Sequence, residues 1–145
     1  MRDLASVLSA LADPTRLQML SLLTRHEELC VCDFVAALKI TQSKASRHLR
    51  YLWNARLLVD RREGLWVRYR ITPELAPDSE LLVDALRRVF EKRAENEADQ
   101  RLEAWLSSKA GGARPVPEIK ARAPRATSRT KEKADVRHHR RQAVQ

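Results

Sequence analysis

Between residues 58 and 71 the apolar spacing switches from the 3.6-residue repeat of a helix to the two-residue repeat of a strand. That switch, set in an otherwise helical chain, restricts the possible folds more than any other feature. Leu58-Val59-Asp60-Arg61-Arg62 and Leu65-Trp66-Val67-Arg68-Tyr69-Arg70-Ile71 flank Glu63-Gly64. Glycine there supplies the positive φ of a two-residue hairpin turn. Leu65, Val67, Tyr69 and Ile71 are expected to face inward, with Trp66, Arg68 and Arg70 outward.

The rest reads as helices. Leu4, Val7, Leu8 and Leu11 recur at helical spacing. Asp13 is placed to cap a second helix, with Pro14 at its first position, where a missing N–H costs nothing. Leu17, Leu20 and Leu23 carry that helix to about Arg25, and residues 26–29 read as a connector. A short helix over 31–38 turns Phe34, Val35 and Leu38 inward. Lys39-Ile40-Thr41 interrupts it, and Thr41 caps a helix from Gln42 to about Ala55 that packs through Ala45, Leu49 and Leu52. After Pro73 and Pro77, one long helix is expected over about 78–106, with Leu82, Leu86, Val89, Phe90, Ala94, Ala98, Leu102 and Trp105 on its apolar side. The fold class is therefore mainly α with a small β-hairpin (α+β). Short helix, tight turn, helix and basic hairpin in that order make a winged helix-turn-helix.

Charge is distributed to match. The net charge of +9 is concentrated in two places. Residues 107–145 carry eleven bases and three acids, with three prolines, two glycines and no aromatics, and are expected to be a disordered basic tail. Residues 39–70 carry nine bases and two acids between acidic flanks. Such a basic stripe on a folded unit points to a nucleic-acid partner. The expected division is 1–106 as a DNA-binding and dimerisation domain and 107–145 as the tail, acting as a phosphate-contacting arm or as a solubilising extension.

With Leu49 and Leu52 against the core, the opposite face of the 42–55 helix is free to enter a major groove. It offers Gln42, Ser43, Lys44, Ser46, Arg47, His48 and Arg50. Gln and Arg pair bidentately with adenine and guanine edges, whereas Lys and Ser suit phosphates; His48 suits packing or a phosphate contact better than metal ligation. Arg61, Arg62 and Arg68 on the wing are expected to reach the backbone or minor groove. One chain presents one reading helix, so a homodimer spanning two half-sites of a double-stranded operator is expected. Its surface is expected on the long helix at Leu82, Leu86, Val89 and Phe90, unless that helix is simply core.

Several classes are disfavoured. No apolar run approaches the roughly 18–20 residues that span a bilayer, so no membrane partner is expected. The first residues read as an amphipathic helix rather than a signal peptide. The region 1–106 has Gly64 as its only glycine, which excludes a Gly-rich phosphate loop, and no Ser–His–acid or paired-carboxylate arrangement is readable, so no enzyme is expected. Two cysteines, Cys30 and Cys32, are too few for a disulfide scaffold, and a bridge across Val31 would close a very small ring. Reduced thiols and a cytoplasmic location are the expectation.

Those thiols stand where the short helix begins. A close thiolate pair favours soft ions. In a regular helix, residues i and i+2 point about 200° apart. Joint chelation is therefore expected to bend or melt the start of the helix that supports the reading helix, giving a ligand different affinities for two conformations.

LADPTRLQMLSLL, ELCVCD, the stretch from Gln42 to Leu52 and GLWVRYRI resemble the ArsR/SmtB family of metalloregulatory repressors, and ELCVCD is similar to its arsenite-responsive branch. The resemblance covers roughly residues 3–100. It implies a homodimeric winged-helix repressor that leaves its operator when trivalent arsenic or antimony binds Cys30 and Cys32, with no constitutive cofactor. That branch often carries a third cysteine where this chain has Val35. Hydroxide or a small thiol as third ligand, a monomethylated arsenical that needs two thiols, and sulfur from a symmetry mate are the three readings left open. Zinc-sensing relatives use His and carboxylates on the C-terminal helix, whereas residues 78–106 contain no His; His26 and His48 lie elsewhere, and His138-His139 lie in the tail. A thiol redox-sensing regulator and a constitutive DNA-binding protein are the competing functions.

Overall fold

The computed structural model describes residues 1–110; residues 111–145, with most of the expected tail and His138-His139, lie outside the described residues. The elements run α1 (Arg2–Leu11), α2 (Pro14–Arg25), β1 (Leu29–Cys30), α3 (Val31–Leu38), α4 (Gln42–Asn54), β2 (Leu58–Glu63), β3 (Trp66–Ile71), α5 (Pro77–Glu91) and α6 (Glu97–Ala110).

Local chemistry sets most of these bounds. The Asp13 carboxylate accepts the Arg16 N–H at 2.9 Å, and Pro14 takes the first position of α2. Lys39 closes α3 with φ +52°, and the Thr41 hydroxyl accepts the Lys44 N–H at 3.2 Å to start α4. The two helices of the motif are thus joined through a left-handed residue and a cap, with no room for a longer loop. The core gathers Met19, Leu20 and Leu22 of α2, Phe34 and Ala37 of α3, Leu49 and Leu52 of α4, Leu57 just before the hairpin, Leu58, Val67 and Tyr69 within it, and Leu102 of α6. Among the described residues, no helix is long and apolar enough to cross a membrane.

Three expectations need correction. First, the wing sheet has three antiparallel strands in the order β1-β3-β2. The connector ends in a strand, with Leu29 opposite Tyr69 and Cys30 opposite Arg68. Two residues are too few to show a period in sequence. Second, Glu63 pairs with Trp66, so the turn residues are Gly64 and Leu65 rather than Glu63 and Gly64. Gly64, at φ +60°, is the first of them. That suits a turn needing positive φ only there, and it leaves Leu65 at the tip, 85% exposed. Val67 and Tyr69 face inward as expected. Leu8, within the helical repeat of α1, is 48% exposed.

Third, the single long helix is two. Residues 92–96 break it, and α6 folds back onto α3. Asn96 drives the break: its side-chain oxygen accepts the Ala98 and Asp99 N–H groups at 2.8 and 3.2 Å, while its own N–H donates to Asp99 Oδ2 at 2.9 Å. This reciprocal cap satisfies amides that a new helix leaves orphaned. Arg25 pins the corner through Asp99, 3.1 Å away, and the Phe90 carbonyl. Helix α6 continues to Ala110, so residues 107–110, assigned to the tail by sequence, are helical.

Two outcomes follow for stability. Asn96→Ala is expected to lower the stability by about 1 kcal/mol, read as a lower urea midpoint; an unchanged midpoint would show that packing on α3 alone starts α6. The Asp13 carboxyl is partly buried, which raises its pKa, but the Arg16 N–H and guanidinium and His48 outweigh that and hold it below the ordinary carboxylate value. A depressed acid stabilises the fold above its unfolded pKa, and this is lost as the pH falls below about 4 through the folded value. Asp13→Asn keeps a capping side chain and is expected to flatten that acid limb of the urea midpoint.

Candidate nucleic-acid interface and thiol site

Helix α4 buries Ala45, Leu49 and Leu52, which turns Ser43, Lys44, Arg47 and Arg50 to solvent on the other side. Gln42 and Ser46 are half-buried at its margin. His48 departs from the expected set. It faces Asp13, with Nδ1 3.6 Å from Oδ1, and only 12% of its side chain is exposed. Burial lowers its pKa, with Arg16, Lys44 and Arg47 adding to the effect and Asp13 opposing it, so the ring is neutral at pH 7. It packs inside the motif rather than joining the exposed bases.

The wing bases have protein partners. Arg61 donates to both oxygens of Glu28 at 3.1 and 2.7 Å and to Glu63 at 3.3 Å, and Arg68 donates to Glu63 at 3.0 Å. Hydrogen bonding to Arg61 holds the Glu28 carboxyl below its ordinary value. Glu28 reaches Arg61 because β1 joins the sheet, a placement invisible in the sequence. Arg62 is exposed on β2.

The thiol pair is placed differently from the sequence expectation. Cys30 is not in the helix: it precedes it with extended backbone (φ −87°, ψ 167°) and ends β1. Cys32 lies in the first turn of α3. Their Cα atoms are 5.3 Å apart and the sulfurs are bonded at 2.05 Å. The expectation of two reduced thiols is thus not what the structure holds. The expected need to melt the helix also fails, because the 200° separation applies only when both residues are helical.

Asp33 organises the site and was not singled out by sequence. It is 1% exposed. Its Oδ2 accepts the Cys30 N–H at 2.7 Å, and its Oδ1 accepts the Trp105 indole N–H at 2.9 Å and the Lys109 ammonium. Lys109 Nζ also lies 3.4 and 3.3 Å from the two sulfurs and over the Trp105 ring. The two sulfurs and an Asp33 oxygen fall within 4.8 Å of one another. Trp105 and Lys109 come from a helix more than seventy residues away, and the break at Asn96 was the signal that would have brought them here. The two cysteines also line a cavity of about 220 Å³, walled further by Val31, Val35, Ala36, Trp66 and Trp105 and touching Gln42.

Of the residues expected at a dimer surface, Leu82 and Leu86 are half-buried and Val89 is 44% exposed, but Phe90 is in the core. Leu81, 71% exposed, was missed. With Leu8 of α1 exposed as well, apolar surface remains on two helices that pack together, α1 and α5.

Residues 13–59 match the family model described as bacterial regulatory protein, arsR family. The chain is 51% identical over 69 residues to the arsenic resistance transcriptional regulator ArsR1 of Pseudomonas putida, covering 48% of this chain and 54% of that protein. It thus spans about half the length of that curated relative. It is 35% identical over 88 residues to the arsenical resistance operon repressor of Bacillus subtilis, covering 61% of this chain and 82% of that protein. Among solved structures it resembles the homodimeric winged helix-turn-helix DNA-binding domain of Mb0332 from Mycobacterium bovis, with TM-score 0.53 and 32% identity over 65% of this chain and 83% of that one.

Removing the buried Asp33 carboxylate strands a half-buried ammonium, an indole N–H and the Cys30 N–H together. Asp33→Ala is expected to destabilise the fold by about 3 kcal/mol, with a red shift of Trp105 emission as α6 loosens. A loss below about 1 kcal/mol would show that Asp33 does not hold the two helices together.

Proposed function

We propose that this chain, which belongs to the ArsR family of bacterial regulatory proteins, is a dimeric repressor that binds operator DNA through α4 and the wing and releases it when trivalent arsenic or antimony binds Cys30 and Cys32. Members of this family are DNA-binding regulators, not enzymes. The observation that carries the reading is the position of the two sulfurs. They belong to one segment that is at once an edge strand of the wing sheet and the start of the helix supporting α4.

Binding begins from the reduced pair: a cellular low-molecular-weight dithiol or thiol takes up the disulfide's oxidising equivalents, and each sulfur gains a proton. Arsenous acid then forms two As–S bonds and loses two waters, with hydroxide or a small thiol as third ligand. An arsenic atom between the sulfurs holds them further apart than a direct bond does. Cys32 therefore shifts relative to Cys30, and α3 moves against β1 and the Asp33–Trp105–Lys109 contacts. Glu28, two residues before Cys30, transmits the same displacement to Arg61 on the wing. A hundredfold loss of DNA affinity requires only about 2.7 kcal/mol of difference between the two states.

Ser43, Lys44, Arg47 and Arg50 contact the duplex in this reading, with Gln42 and Ser46 at the groove margin. Arg61 and Arg68 approach the backbone once Glu28 and Glu63 are displaced, and Arg62 joins them from β2. The dimer forms through α1 and α5 around Leu8, Leu81 and Val89, and the basic stretch beyond α6 adds sequence-independent phosphate contact. Such a regulator works in the cytoplasm, with the DNA.

A second reading has an observation of its own. The Cys30–Cys32 bond favours a thiol redox regulator whose DNA affinity follows the oxidation of that pair.

Gel shift on DNA from upstream of the gene for this chain tests both. Arg47→Ala is expected to weaken binding by about 1–3 kcal/mol. Cys30→Ser and Cys32→Ser are expected to keep DNA binding and to lose release by arsenite. If the Cys30→Ser protein still leaves the DNA normally with arsenite, the site assignment fails. Release by mild peroxide, with arsenite inert, selects the redox reading.

A further inference from the structure

We propose that the site is built for a trivalent arsenical bearing one apolar carbon substituent, methyl to phenyl, and that the cavity between Trp66 and Trp105 holds that substituent. This deepens the arsenic-binding reading and rests on it. The chain has two cysteines, so two As–S bonds exhaust its own sulfur and leave one valence on arsenic. The sulfurs border two different surroundings. The Lys109 ammonium and the Asp33 carboxylate lie beside them. They also line a cavity of about 220 Å³ walled by Val31, Val35, Ala36 and two indoles.

Size and polarity decide the occupant. An apolar cavity of about 150 Å³ takes a benzene molecule, so this one accommodates a phenyl group. A hydroxyl placed against that mostly apolar lining would lose hydration at a cost of roughly 1–3 kcal/mol. Methyl or phenyl carbon instead buries apolar area against the indoles and aliphatic walls. Val35 contributes an isopropyl group to the wall where a third sulfur would otherwise approach the arsenic. The cavity also touches Gln42, the first residue of α4. Its occupant therefore meets the sensing segment and the reading helix at once.

The step is R–As(OH)2 with two thiols giving R–As(S)2 and two waters; arsenic stays trivalent. The starting thiols come from reduction of the disulfide by a phosphine, which becomes its oxide and is then removed.

The test uses the reduced full-length chain, with phenylarsine oxide and arsenite as probes, and reads tryptophan quenching alongside the loss of titratable thiols. Ala36→Leu fills the cavity with a helix-compatible side chain. It is expected to weaken phenylarsine oxide at least tenfold while leaving arsenite within twofold. Trp66→Leu, on a strand outside α3, is the second variant and is expected to act in the same direction. If both variants alter the two probes equally, or neither probe, while Cys30→Ser abolishes binding of both, the subsite is overturned and the thiol reading stands. If neither probe consumes the two thiols of the unaltered chain, both proposals fall.

Discussion

The carboxylate of Asp33 is the contact on which the arrangement depends. It is buried at the first turn of α3 and satisfied by three donors that reach it from different parts of the chain: the Cys30 N–H on the wing strand, the Trp105 indole and the Lys109 ammonium on α6. A buried carboxylate without such partners would be intolerable. With them it ties the wing sheet, the supporting helix and the returning C-terminal helix at one point, and that point lies beside the sulfurs. Chemistry at the sulfurs would thus act beside the contact that joins these elements.

This placement bears on how the proposed switch would operate. Two cysteines on one helical turn diverge, and a chelator would have to unwind the helix. Here one cysteine is extended and the other helical, so the sulfurs meet across the junction between strand and helix. In the proposed switch the helix therefore need not unwind when the pair is reduced or bridged. The change expected there is in the spacing across the junction, and hence in the angle between α3 and the wing. Small displacements of packed elements suit a coupling of a few kcal/mol better than local unfolding does.

Much of the scaffold was legible in the residues. Asp13 before Pro14, and Thr41 after Lys39-Ile40, mark helix starts by side-chain chemistry that acts over three residues, and the structure places α2, α3 and α4 there. The hairpin was legible from its period, though not its turn, because Glu63-Gly64 and Gly64-Leu65 both place the glycine at a usable position. The C-terminal helices were misread because Ala94 and Ala98 continue a plausible apolar repeat across the break. Asn96 and Asp99 carry the opposing signal of a reciprocal cap, weaker in sequence than the period it interrupts. His48 and Phe90 were assigned to surfaces by type and spacing, whereas packing turned both inward.

By itself the sequence determined what is local: where helices begin, where the period changes, which face of the reading helix stays polar, and that the chain has only two thiols. These follow from contacts within a few residues, which any fold of this chain would respect. Tertiary structure alone decided that Cys30 joins a sheet, that Glu28 meets Arg61, and that α6 turns back to bring Trp105 and Lys109 onto Asp33. Those depend on which distant segments share a core, and a single buried carboxylate selects among them only once the chain has folded around it.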